Sequence, residues 1–167
     1  HSPKLMGSAS EGGAELFQLD FFGQPACLAQ SPQLYKQLAM AAGFDRVFEI
    51  GPVFRANPSF TSRHDAEFTS VDVEMSWINS HHDLMNFEER LFEEALCYLN
   101  AQFGSRVKEV FGIDIVVPKL PFPRITMAEA YEILGRSGYT VPREAKGDLD
   151  PEGERRLYQW VQREYGH

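Results

Sequence analysis

Apolar positions along the chain fall into short runs with strand spacing and longer stretches with helical spacing. Residues 15–29 (ELFQLDFFGQPACLA) put two short apolar runs on either side of Gly23-Gln24-Pro25 and read as a hairpin, expected as an edge pair. Residues 31–43 read as a helix: Ser31 is placed to cap it, Pro32 suits its first turn, Leu34, Leu38 and Ala41 or Ala42 share one face, and Gly43 ends it. Residues 46–56 and 67–77 are rich in Val, Ile, Phe and Thr and read as two strands that pair antiparallel. Period two puts Glu49, Gly51, Val53 and Arg55 on one face of the first, with Phe48, Ile50 and Phe54 on the other. In the second, Phe68, Ser70, Asp72 and Glu74 oppose Thr69, Val71, Val73 and Met75, so each strand has an expected core face and a charged face.

Residues 80–103 carry the clearest helical stripe, Leu84, Phe87, Leu91, Ala95 and Leu99, behind a cap pattern at Ser80 and Asp83. It reads as a covering helix whose acidic run, Glu88-Glu89 and Glu93-Glu94, faces solvent; a metal site there is the weaker reading. Residues 113–117 (IDIVV) read as a strand and 118–123 as an extended connector. Helices follow from Thr126 to Leu134 and from about Pro151 to Glu164. No internal repeat breaks this order. One continuous α+β domain, an antiparallel sheet flanked by helices, is the expected architecture.

Composition narrows the function classes. With 16 basic against 24 acidic residues the formal net charge is −8, which excludes a protein that coats nucleic acid through global positive charge. A polyanion must meet a local basic patch instead. Cys27 and Cys97 stand far apart with no CxxC pair, so two buried, reduced thiols are expected rather than a zinc site or disulfide framework. No apolar run approaches the ~20 residues of a membrane span, and no signal-peptide pattern opens the chain. A soluble, cytoplasmic protein is expected, and the start at His1-Ser2-Pro3 suggests that the length of 167 residues is a cut.

The paired strands are the most informative feature, since they place Arg55, Asp72 and Glu74 on one sheet face with Phe68 beside them. The connecting loop, Asn57 to Ala66, is longer than the ~2–5 residues of an ordinary hairpin and carries Arg63 and His64. One reading is a surface face of cross-strand ion pairs. The other is a ligand floor: guanidinium groups for phosphate or carboxylate, carboxylates for an ammonium or a metal, and an aromatic ring for a base. A nucleotide together with an amino acid would satisfy that set.

Longer stretches then resemble a known family. Gly51-Pro52-Val53-Phe54-Arg55-Ala56, Thr61-Ser62-Arg63-His64-Asp65-Ala66-Glu67-Phe68-Thr69 and Val71-Asp72-Val73-Glu74-Met75 resemble motif 2 of the class II aminoacyl-tRNA synthetases. Ser2-Pro3-Lys4-Leu5 looks like the end of motif 1, and 10–17 (SEGGAELF) like the amino-acid loop. Gln30-Ser31-Pro32-Gln33-Leu34-Tyr35-Lys36-Gln37 resembles the signature of the aspartyl branch, archaeal and eukaryotic type. The resemblance covers most of residues 2–78 and, more loosely, 124–158.

What the resemblance implies is a class II catalytic domain over 1–167, incomplete at its C-terminal side, whose parent is an ATP-dependent aspartate-tRNA ligase. Arg55 would be the catalytic residue, bridging the α-phosphate of ATP and the substrate carboxylate. Arg63 and His64 would lie near the β- and γ-phosphates, and Phe68 would stack on adenine. Glu11, Gln33 and Asp72 would receive the aspartate ammonium, with Ser31 at the pocket edge, and Lys36 would select the side-chain carboxylate. Implied partners are aspartate, ATP and tRNA, with a homodimer in the full-length protein and no membrane. Where the family usually shows Arg-Ala-Glu this chain has Arg55-Ala56-Asn57, so an amide replaces a carboxylate. No Gly-rich motif 3, acidic Mg²⁺-holding strand or anticodon-binding domain is found in the chain. Mg²⁺ ligands are therefore expected mainly beyond residue 167, with no metal-binding residue assigned within it, and the 167 residues alone are expected to be inactive. A non-catalytic synthetase paralogue and an asparagine synthetase-like ligase are the alternatives.

Overall fold

The computed structural model describes residues 1–9, 15–57, 65–145 and 147–166. The chain forms two compact units, His1–Ser80 and His81–His167.

In the first unit, β1 (Leu5–Met6), β3 (Gln24–Leu28) and β2 (Gln18–Phe21) make an antiparallel sheet in the order β1-β3-β2. The predicted hairpin is present but turns one step earlier. Phe22 and Gly23 both have positive φ, 53° and 77°, which is the signature of the tight turn whose twist matches the strands. Pro25 consequently lies inside β3, opposite Asp20, and β3 is a central strand rather than half of an edge pair. Met6, Cys27 and Ala29 form the small core under this sheet, with Leu16 and Tyr35 packed against it. Cys27 is buried as expected, whereas Cys97 is exposed.

Helix α1 (Gln33–Ala41) starts one residue late: Pro32 occupies the cap position and the Ser31 hydroxyl accepts from the Gln33 N–H at 3.2 Å. β4 (Arg46–Phe54) and β5 (Glu67–Met75) pair antiparallel as expected, in a register that sets Glu49 opposite Asp72, Gly51 opposite Ser70 and Val53 opposite Phe68. Their burial inverts the expectation. Helix α1 lies against both strands on the charged face, where Lys36 reaches Asp72. The apolar face is open, with Phe48 72%, Ile50 48% and Val71 61% exposed. Carboxylates near a sheet centre draw in the helix that carries their counter-charge, and no described element of this unit covers the other side.

The second unit opens with α2 (His81–Phe111), longer than the predicted helix. Residues 113–117 form no strand, because no described segment offers them a ladder. α3 (Met127–Arg136) and α4 (Pro151–Tyr165) pack through Ala130 and Leu134. Gly153 allows the close approach: a Cβ there would sit 3.5 Å from Leu134 Cδ1 and 3.0 Å from Asp150 Oδ1. Both helices start as their sequences require. Thr126 and Glu129 form a reciprocal capping box, and Asp150 caps α4 ahead of Pro151. Glu89, expected on a solvent face, is instead buried on α2 and paired with Arg124 at 3.0 Å. Arg124 also donates to Asn86 and contacts His82 Nδ1 at 2.8 Å, so one guanidinium ties three turns of α2 to the connector before α3.

Candidate functional site

The charged face of the β4–β5 ladder holds the site. Period two delivers Glu49 and Arg55 from β4 and its end, and Phe68, Asp72 and Glu74 from β5, while α1 supplies Lys36 from above. Lys36 Nζ donates to Asp72 Oδ1 at 2.7 Å and lies 3.3 Å from Glu74 Oε2. The Lys36 and Asp72 side chains are each only 17% exposed, so the pair is screened much less than a surface ion pair. Burial alone draws the Lys36 ammonium towards neutrality. The hydrogen bond and charge of Asp72, then those of Glu74, outweigh it and hold its pKa above 10.5. Lysine at this point is a fixed cation.

A second pair stands next to it. Lys4 Nζ donates to Glu49 Oε1 at 2.5 Å, and the Ser2 hydroxyl donates to the same oxygen at 2.9 Å. Burial pushes the Glu49 carboxyl upward, but the bonds from Lys4 and Ser2 prevail and hold it below 4.5. A hollow of about 200 Å³ opens between the pairs, lined by Pro3, Pro32, Tyr35, Lys36, Glu49 and Asp72. A larger one, about 610 Å³, lies against β2 and β3 and holds none of the candidate residues.

Arg55 stands just past the end of β4, with its guanidinium 5.7 Å from the centroid of the Phe68 ring. A cation beside a partly exposed aromatic face suits a nucleotide, whose phosphate meets the one and whose base meets the other. Ser31 is buried at the N-terminus of α1, one turn before Lys36, and Gln33 is half-buried in that first turn. The structure thus joins Lys36 with Asp72, and Arg55 with Phe68, on one sheet face. Glu11, Arg63 and His64 lie outside the described residues. Among the described residues no group of three or more His, Cys, Asp or Glu is arranged to hold a metal ion.

A model of the class II tRNA synthetases specific for D, K and N matches residues 1–166. The chain belongs to that family. This class II synthetase chain is 44% identical over 161 residues to the aspartate–tRNA(Asp) ligase of Thermococcus kodakarensis, covering 96% of the chain and 36% of that protein. It is 48% identical over 160 residues to the aspartate–tRNA(Asp/Asn) ligase of Methanopyrus kandleri, covering 94% and 36%. The chain therefore spans about a third of the length of these curated relatives. Among solved structures, the asparaginyl-tRNA synthetase of Pyrococcus horikoshii with asparaginyl-adenylate superposes with a TM-score of 0.80 at 34% identity, covering 96% of the chain and 36% of that structure. The aspartyl-tRNA synthetase of Entamoeba histolytica gives 0.71 at 36% identity, covering 83% and 29%. The α+β fold expected from the sequence is thus that of class II synthetases.

Sequence reasoning left Lys4 and Glu49 out of the site. Glu49 carried a signal, since period two placed it on the face of Arg55; Lys4 carried none, because its partner is 45 residues away. Glu74 was on the charged face from the start and gains a role only through Lys36. The described residues of the class II chain contain no helix long and apolar enough to cross a membrane.

Proposed function

We propose that this chain forms the amino-acid and ATP-binding part of an aspartate–tRNA ligase. The observation that carries the reading is Lys36, a fixed ammonium held between Asp72 and Glu74 in the lining of a small hollow. Such a cation attracts a carboxylate and gives a carboxamide no charge to answer it, which favours aspartate over asparagine. Asp72 and Gln33 offer acceptors to the substrate ammonium, with Ser31 at the edge and Glu11 completing the set.

In the first step an oxygen of the aspartate α-carboxylate attacks the α-phosphorus of ATP, a new O–P bond forms, and the bond to the β-phosphate oxygen breaks. Pyrophosphate leaves with that electron pair. Arg55 meets the charge that develops between carboxylate and phosphate, Phe68 stacks the adenine, and Arg63 and His64 take the outer phosphates. A hydroxyl of the terminal adenosine of tRNA then attacks the carbonyl carbon of the adenylate, a new ester C–O bond forms, the bond from that carbon to the phosphate oxygen breaks, and AMP leaves with that electron pair as the hydroxyl gives up its proton. Mg²⁺ would accompany ATP in this chemistry, and among the described residues no group of three or more His, Cys, Asp or Glu is placed to hold it. The reading brings with it a homodimer, a cytoplasmic setting, and no adenylate formation by the 167 residues alone.

ATP–pyrophosphate exchange by the protein carrying this chain tests the assignment. Exchange is expected with aspartate and not with asparagine, and Lys36→Met should abolish the preference. Equal exchange with both amino acids, or none with aspartate, would reject it.

A further inference from the structure

The end of β4 is stitched on both sides. Phe54 N–H donates to the Ala29 carbonyl at 2.9 Å, Arg55 N–H to the Ala66 carbonyl at 2.9 Å, and Ala56 N–H to the Glu15 carbonyl at 3.0 Å. Arg55 thus has a tethered peptide before it, on it and after it. In an antiparallel ladder, the pair Ala56 and Glu15 would be completed by a bond from the Glu15 N–H back to the Ala56 carbonyl. Here that N–H donates instead to Oδ1 of the Asn57 side chain, at 3.1 Å. One side-chain amide stands in for a backbone carbonyl, and residues 56 and 57 together grip the peptide of Glu15 from both ends. The reach is specific. Aspartate would carry an oxygen in the same place, whereas glutamate or glutamine would carry it one methylene too far.

From this geometry, and resting on the aspartate-ligase reading above, we infer that Asn57 is a positioning residue for adenylate formation: it locks Glu15, through which the strand end bearing Arg55 is held in register. Asn57 acts through the Ala56–Glu15 bond on the backbone of Arg55, whose guanidinium must stand still to stabilise the charge of the attack.

The test is aspartate-dependent ATP–pyrophosphate exchange by the protein carrying this chain, with amide hydrogen exchange at residue 15 read in parallel. Asn57→Leu, which keeps the branching at Cγ and loses the acceptor, should lower kcat about tenfold, the size of one positioning hydrogen bond. KM for aspartate and ATP should stay within about twofold, since the loss lies in the transition state. Asn57→Gln, with its oxygen displaced, should fall with it and serves where the leucine variant does not fold. Asn57→Asp should restore kcat to within about threefold and return the Glu15 N–H to its protected state. A leucine or glutamine variant with unaltered kcat, an aspartate variant as impaired as leucine, or Glu15 exchange indifferent to all three overturns the inference. Absence of exchange by the unsubstituted protein overturns the aspartate-ligase reading, and this inference with it.

Discussion

Glu49 and Asp72 stand directly opposite each other on β4 and β5, and each is paired with a different lysine, Lys4 at 2.5 Å and Lys36, which Glu74 shares, at 2.7 Å. Like charges in that position repel, and the cost rises as water is excluded. The lysines come from two separate segments, one from the chain before β1 and one from α1. Tethering two carboxylates therefore also anchors two separate segments over the ladder.

Removing either lysine should strand a carboxylate beside its neighbour. Lys36→Met is expected to destabilise the first unit by about 1–3 kcal/mol, because a partly buried charge loses its partner. Asp72→Asn with Lys36→Met should recover part of that loss. Thermal or urea unfolding of the two variants checks it, and an additive double variant would show that the pair is not coupled.

Glu49 sets an acid limb. Its folded pKa lies below the ordinary 4.5, so its contribution is fully present above pH 4.5 and is lost as pH falls through the folded value. Lys36 behaves oppositely: its folded pKa lies above 10.5, so its contribution is present below that pH and disappears as pH rises through the folded value. Glu49→Gln should flatten the acid side of a stability–pH curve and leave the alkaline side alone.

Tyr139 donates to Asp150 Oδ2 at 2.6 Å, and the Arg156 guanidinium sits 4.8 Å from its ring centroid. The hydrogen bond to Asp150 pushes its phenol up to about 12 from 10.0. Asp150→Ala should return its ultraviolet titration towards 10.0 and, by removing the cap of α4, cost about 1 kcal/mol of stability. A phenol still titrating near 12 in that variant would refute the assignment.

The Glu89–Arg124 pair should behave as the staple of the second unit. Arg124→Ala leaves a buried carboxylate without its guanidinium and is expected to cost about 3 kcal/mol, more than Arg136→Ala on the exposed face of α3. Unfolding curves of the two variants give the comparison directly.

By itself the sequence determined the local elements and their faces. The two faces of β4 and of β5 follow from period two, the starts of α3 and α4 follow from Thr126, Glu129, Asp150 and Pro151, and the family likeness of residues 30–37 and 51–75 needs no coordinates. Those features depend on neighbours along the chain, where spacing is information enough. Tertiary structure decided what touches what across it. Nothing near Glu89 in sequence says that Arg124 will bury it, nothing near Lys4 says that Glu49 is its partner, and alternation alone could not say that α1 would cover the charged face and leave Phe48 and Ile50 open. Asn57 belongs to the same class: its residue type was visible as a departure from the family, but the N–H it accepts from is supplied by Glu15, 42 residues earlier. Ion pairs and side-chain acceptors are fixed by where the backbone brings distant groups together, so their partners become legible only once the chain has folded.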